Sequence, residues 1–220
     1  LVFLKEEKEI KQEYRVAGLI SGDRLPRNWV NQKGLSDFYD IKGDVETLIA
    51  LGNPVEKFLF DNSEHLSIHP GQCAKITTPL GTEVGYVGAL HPRIGQHLGL
   101  DGSIFVFELN LDVLQHGMLP KAQALSKFPE VSRDLAMVVS SEVPAAKILA
   151  NVRENAGDYL SNSRIFDVYQ GDGVEKGKKS IALGLTWQHP SRTLSDDEIN
   201  KIISSCVKGL HEKFNANLRD

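Results

Sequence analysis

Apolar and polar positions change period several times along the first half of this chain. Residues 15–21 alternate as a strand does and stop at Gly22. Ser36 is placed to cap a helix, with Asp37 in its first turn, where the positive end of the helix dipole favours an acid. Phe38, Ile41, Val45 and Leu48 then recur at helical spacing, and Gly52 falls where a glycine closes a last turn. That stripe reads as core-facing; the rival reading gives Phe38 or Tyr39 to a contact with another chain, where aromatics are enriched. Strand candidates follow at 57–60, 74–77, 84–90 and 104–109, separated by Gly and Pro. One helix followed by several strands predicts an α+β layout with a mostly antiparallel sheet.

His116-Gly117-Met118-Leu119-Pro120-Lys121 breaks the periodicity, so the expected division is a domain at 1–118, a linker at 119–123 and a second domain at 124–220. The second pattern is cleaner. Residues 133–139 read as a strand, and Pro144 suits the first position of a helix with Ala145, Ile148, Leu149, Val152 and Ala156 on one face. Strands at 164–169 and 180–188 flank the Gly-rich turn 171–179. Ser195 to Glu198 spells a capping box, and the helix it opens carries Ile199, Ile202, Ile203, Cys206, Leu210 and Phe214 on one stripe. A short strand at 216–219 completes a βαββαβ order, the ferredoxin-like pattern, with both helices on one sheet face and the other face open.

Alternation sorts these strands into faces. Ile181, Leu183, Leu185 and Trp187 read as core, and Ala182, Gly184, Thr186 and Gln188 as the open face. Leu135, Met137 and Val139 point in, against Asp134, Ala136 and Val138 out; Phe166 and Val168 are expected inward, with Asp167 and Tyr169 outward. An open sheet carrying a tyrosine, an amide and a hydroxyl suits an unpaired base, which stacks on the ring while polar groups read its edge. Arg133, Arg164 and Arg192 fall near the expected strand ends, where a phosphate can be met. The bland alternative is an ordinary strand tyrosine with solvated arginines, since this superfold serves many functions.

Charge does not decide between them. The 220 residues carry a net charge of −4, so affinity for nucleic acid must come from local arrangement. Residues 1–123 hold 12 Lys/Arg against 16 Asp/Glu, and residues 124–220 hold 13 of each. No apolar run is long enough to span a membrane, and Leu1 to Leu4 runs straight into Lys5-Glu6-Glu7-Lys8, unlike a signal peptide. A first residue other than Met predicts a piece of a longer chain. Cys73 and Cys206 form no metal or redox pattern, which suits a reducing, cytoplasmic setting.

Several chemical signals fail on inspection. Residues 173–180 imitate a P-loop with one residue too few between glycines, and they join two strands instead of opening a helix. Their lysines remain candidates for RNA phosphates. His65, His69 and Cys73 are spaced as metal ligands on a helix, which Pro70-Gly71 forbids. His91-Pro92 and His189-Pro190 read as turns.

The run Phe128-Pro129-Glu130-Val131-Ser132-Arg133-Asp134-Leu135-Ala136 resembles the entry into the ferredoxin-fold anticodon-binding domain of phenylalanyl-tRNA synthetases. Arg164 to Tyr169, Lys179 to Ala182, Arg192 to Glu198 and Glu212 to Arg219 resemble later stretches of the same domain, in order. His69-Pro70-Gly71, Gly85 to Pro92 and Phe107-Glu108-Leu109 are similar to the class II core-like domain of the bacterial β subunit. The resemblance covers essentially the whole chain. It implies that 1–118 is the C-terminal portion of a non-catalytic core-like domain that packs on the α subunit. It also implies that 124–220 meets the anticodon region of phenylalanine tRNA, with Tyr169, Asp167, Thr186, Gln188, Arg133, Arg164 and Arg192 as candidate RNA contacts. The implied parent is an (αβ)₂ heterotetramer in which the α subunit joins phenylalanine to tRNA with ATP and magnesium. No cofactor or metal is expected in this chain. No Gly-x-Gly-x-Gly run precedes a Glu-Arg or Asp-Arg pair, so it reads as catalytically empty. A ferredoxin-like regulatory module that binds a small molecule is the alternative, and a self-contained enzyme the third.

Overall fold

The computed structural model describes residues 1–6, 9–26, 28–31, 33–52, 57–115 and 125–219. The chain divides into two compact units, Leu1–Ala122 and Gln123–Asp220. The expected linker, 119–123, lies outside the described residues.

The first unit starts with a two-stranded antiparallel hairpin, β1 (Val2–Glu6) and β2 (Glu9–Glu13), which the charged sequence there did not announce. β3 (Arg15–Ser21), β4 (Leu59–Asn62), β5 (Ile68–Thr77), β6 (Glu83–Leu90) and β7 (Ile104–Asn110) form a five-stranded sheet in the order β3-β7-β6-β5-β4, antiparallel throughout. Two short helices, α2 (Pro92–His97) and α3 (Leu111–Leu114), flank β7. The longer helix α1 (Phe38–Gly52) lays Ile41, Val45 and Ile49 against a core that includes Ile76, Val87, Phe105 and Leu109. Burying a side chain of that size stabilises by roughly 1.5–3 kcal/mol.

Two expectations for α1 are corrected. Its cap is Asp37, not Ser36: Asp37 Oδ1 accepts from the N–H groups of Tyr39 (2.8 Å) and Asp40 (3.2 Å), while Asp40 accepts from the Asp37 N–H. Leu48 is 37% exposed, and Ile49, one turn beyond Val45, completes the buried face instead. Phe38 packs against the core and Tyr39 is exposed. The first strand after α1 sits two residues later than the expected 57–60.

The second unit runs β8 (Val131–Ser140), α4 (Ala145–Asn155), β9 (Leu160–Tyr169), β10 (Lys178–Trp187), α5 (Asp196–Phe214) and β11 (Asn217–Leu218). Its antiparallel sheet has the order β11-β8-β10-β9, the ferredoxin-like arrangement. Pro144 is the N-cap of α4, one residue earlier than expected. The capping box of α5 forms as read from Ser195 and Glu198. Leu135, Met137, Val139, Ile181, Leu183, Leu185 and Trp187 pack under Ile148, Val152, Ile199, Cys206 and Leu210 of the two helices. The Trp187 indole donates to the Ala156 carbonyl at 2.9 Å, which satisfies an acceptor at the end of α4. Burial raises the Cys206 thiol to about 11, which leaves it inert as a nucleophile.

Candidate nucleic-acid interface

The helices of the second unit cover one face of its sheet. On the other, paired residues line up in rows across β8, β10 and β9: Ser132–Thr186–Asn162, Asp134–Gly184–Arg164, Ala136–Ala182–Asp167 and Val138–Ser180–Tyr169. Small residues at Ala136, Ala182 and Gly184 keep the middle of this face flat. An alanine methyl at Gly184 would sit 3.2 Å from Arg164 Nε and 3.5 Å from Asp134 Oδ1, so both charged side chains lie over this glycine. Arg164 is mid-strand, because β9 starts at Leu160 and not at the expected 164.

A β-bulge changes the reading of β9. Ile181 pairs with Val168 and Ala182 with Asp167, but Leu183 pairs with Ile165, which leaves Phe166 as the extra residue. Ile165 takes the inward place expected of Phe166, and Phe166 is 51% exposed. Val168 opposes Ile181 on the helix side, yet it too is half-exposed on the edge strand.

At the row of Tyr169 the structure adds residues that strand alternation missed. Arg219, just past β11, donates from its backbone N–H to Ala136 O at 3.0 Å. Its guanidinium reaches across the sheet, donates to Ser180 Oγ at 3.2 Å and lies 5.5 Å from the centre of the Tyr169 ring. The Tyr169 hydroxyl donates to Asp172 O at 3.2 Å, which ties the ring to the β9–β10 turn. One end of the face thus gathers an aromatic ring, a cation, a hydroxyl and, one row away, the Asp167 carboxylate.

Other predicted contacts are elsewhere. Thr186 is six residues along β10 from Ser180, roughly 20 Å away at the rise of a strand. It shares a 2.9 Å hydrogen bond with Ser132, and Gln188 donates to Phe128 O at 3.0 Å. A site centred jointly on Tyr169, Thr186 and Gln188 is therefore not one site. Arg133 pairs with Leu185, a helix-side position, and bonds to Asp196 in the first turn of α5. Arg192 grips Glu198 with both terminal nitrogens, at 2.8 and 2.6 Å. That grip, with bonds from the Ser195 backbone and hydroxyl, holds the Glu198 carboxyl down at about 2.

The glycine turn offers Lys176 on an exposed position, while Lys178 pairs with Glu175 and Lys179 donates to Ser141 O. His69 and Cys73 lie on strand β5, as a helical metal triad does not. Among the described residues no group of three His, Cys, Asp or Glu is placed to hold a metal. None of the helices is long and apolar enough to cross a membrane among those residues.

Residues 1–111 match the family described as phenylalanyl tRNA synthetase beta chain CLM domain, and residues 126–219 match the ferredoxin-fold anticodon binding domain. The chain belongs to the phenylalanyl-tRNA synthetase β-chain family. It is 45% identical over 219 residues to the phenylalanine–tRNA ligase beta subunit of Pseudomonas fluorescens strain Pf0-1, covering 100% of this chain and 28% of that protein. The corresponding subunit of Hahella chejuensis is 40% identical over 219 residues (100% of this chain, 27% of the relative), and that of Shewanella oneidensis 41% over 217 residues (99% and 27%). This member of the β-chain family thus spans a little over a quarter of the curated relatives it matches. Its two family segments fall one in each compact unit, on either side of the division at 122 and 123.

Proposed function

We propose that this chain is a non-catalytic, tRNA-contacting and subunit-packing part of a phenylalanyl-tRNA synthetase β chain. In this reading the second unit meets the anticodon region of phenylalanine tRNA, and the first packs on the α subunit of an (αβ)₂ assembly in the cytoplasm. Residues 119–123 act as the linker between a domain at 1–118 and one at 124–220. Joining phenylalanine to tRNA, with ATP and magnesium, is the task of the α subunit; the β piece supplies position.

The observation that carries the RNA reading is the cluster at one end of the open sheet face. Tyr169 provides a ring on which a base stacks, worth about 1–3 kcal/mol per base. Arg219 provides a charge beside that ring, which serves either the stack or an adjacent phosphate. The Asp167 carboxylate supplies an acceptor for N–H donors on a base edge, while the buried Ser180 hydroxyl holds Arg219 in place. Arg164, one row further along, extends positive charge across the face. Thr186 and Gln188 are left with a supporting role at the far end, and Arg133 and Arg192 with a structural one beside α5. Titrating phenylalanine tRNA into the wild-type chain and into Tyr169→Ala, across a salt series, tests this reading. A loss of affinity in the variant that persists at every salt concentration supports stacking at Tyr169, and equal affinities contradict it.

A further inference from the structure

Tyr169 lies five positions beyond Arg164 on β9, an odd step that by plain alternation would send the two side chains to opposite faces of the sheet. The bulge at Phe166 cancels one of those positions. Arg164 pairs with Gly184 and Tyr169 with Ser180, four positions apart on β10, so both side chains fall on the open face. Gly184 then shows where the Arg164 side chain goes. A methyl group on that glycine would lie 3.2 Å from Arg164 Nε and 3.5 Å from its Cγ, so the side chain leans from the edge strand onto β10. Asp134 Oδ1 approaches the same point from β8, at 3.5 Å. Arg164 nevertheless makes no hydrogen bond or ion pair to any described residue. The other described arginines of the second unit are all committed: Arg133 to Asp196, Arg153 to Ser163, Arg192 to Glu198 and Arg219 to Ser180.

An exposed guanidinium without a partner suits either a phosphate or the face of a base. Asp134 chooses between them. A carboxylate beside the arginine repels a phosphate, whereas it accepts from N–H donors on a base edge. Four positions of strand separate Arg164 from Tyr169, roughly 13 Å. That exceeds the roughly 3.4 Å step between stacked nucleotides, so two bases resting on these residues are splayed apart along the face. Ala136 and Ala182 keep the intervening row low. We propose that Arg164, turned onto the open face by the bulge, is a second base platform beside the one at Tyr169. An unpaired base stacks on its guanidinium and donates from its edge to Asp134. A base with an exocyclic amino group fits; uracil, whose N–H stands between two carbonyls, does not. The inference rests on the anticodon-reading proposal above and deepens it: the face reads two bases at separate places.

Phenylalanine tRNAs that lack one base of the anticodon loop, each at a different position, are the probes. The wild-type chain is expected to lose about tenfold or more in affinity at two of those positions. Arg164→Lys keeps the charge but not the planar fork. It is expected to weaken binding of intact tRNA several-fold and to become indifferent to one of the two positions. Tyr169→Ala is expected to become indifferent to the other. Asp134→Asn is expected to accept uracil at the position assigned to Arg164, which the wild type rejects. Arg164 is exposed and unbonded, so an unchanged thermal midpoint in Arg164→Lys shows that the fold is kept. Arg164→Lys binding every probe as the wild type does overturns the platform in favour of a phosphate contact. Loss of sensitivity to the same position in both Arg164→Lys and Tyr169→Ala overturns it too, because one base then serves both residues. A wild-type chain indifferent to every removed base overturns the anticodon reading, and the platform with it.

Discussion

Arg219 lies over the ring of Tyr169 although the two residues stand on opposite edges of the four-stranded sheet. The contact exists because β11 pairs with β8 and the guanidinium then spans β8 and β10 to reach β9. A base that stacks on Tyr169 must share that ring with Arg219 or displace it. Tyr169→Ala is expected to reduce tRNA affinity about tenfold to a hundredfold, in line with one lost base stack, and Tyr169→Phe to retain most of it. Arg219→Gln should weaken binding and also flatten its salt dependence by about one counterion. Filter binding at several salt concentrations reads both; an Arg219→Gln variant with an unchanged slope contradicts the phosphate role.

Gln188 and Thr186 predict the opposite result. The Gln188 amide is engaged with Phe128 O, and Thr186 with Ser132, roughly 20 Å from Tyr169. Gln188→Ala should cost about 1 kcal/mol of stability, the usual net worth of such a bond, and leave anticodon preference intact. Chemical denaturation followed by tRNA competition measures the two separately. A lost preference with unchanged stability would return these residues to the site.

The Glu198 carboxyl makes the second unit sensitive to acid. Its folded value, about 2, is below the ordinary 4.5, so the folded state favours the ionised form. Its stabilising contribution is complete above about pH 4.5 and is lost as pH falls through about 2. The thermal midpoint reported by Trp187 emission should fall across that window, and less steeply in Glu198→Gln. Parallel pH profiles for the two proteins would show that the Arg192 grip does not contribute.

Gly88 limits the first unit. A methyl group there would lie 2.2 Å from Gln72 O and 2.4 Å from Ile68 Cγ2, inside the β5–β6 ladder. Gly88→Ala is expected to destabilise the first unit by about 1–3 kcal/mol, the usual cost of overpacking, while the Trp187 transition is unchanged. Calorimetry that resolves the two transitions checks both parts; a shift of the Trp187 transition alone would contradict it.

Much of the second unit was legible because β10 alternates without interruption from Ile181 to Trp187, and because the capping box of α5 is local in sequence. Phe166 departs from its expected inward place for a physical reason. A bulge shifts register by one residue, and nothing in the alternation of 164–169 marks where the extra residue falls. Arg219 escaped notice because sheet order, not spacing, brings it to Tyr169 from 50 positions along the chain. In the first unit, Asp37 and Ser36 are both good caps one residue apart, and only the hydrogen bonds to Tyr39 and Asp40 choose between them.

The most direct test is binding of this chain to phenylalanine tRNA and to the same tRNA with its anticodon replaced, across a salt series. The account predicts tighter binding to the native anticodon at every salt concentration, with the difference abolished by Tyr169→Ala. Equal affinities for the two tRNAs, whatever their salt slope, would contradict the assignment of the open sheet face as an anticodon-reading surface.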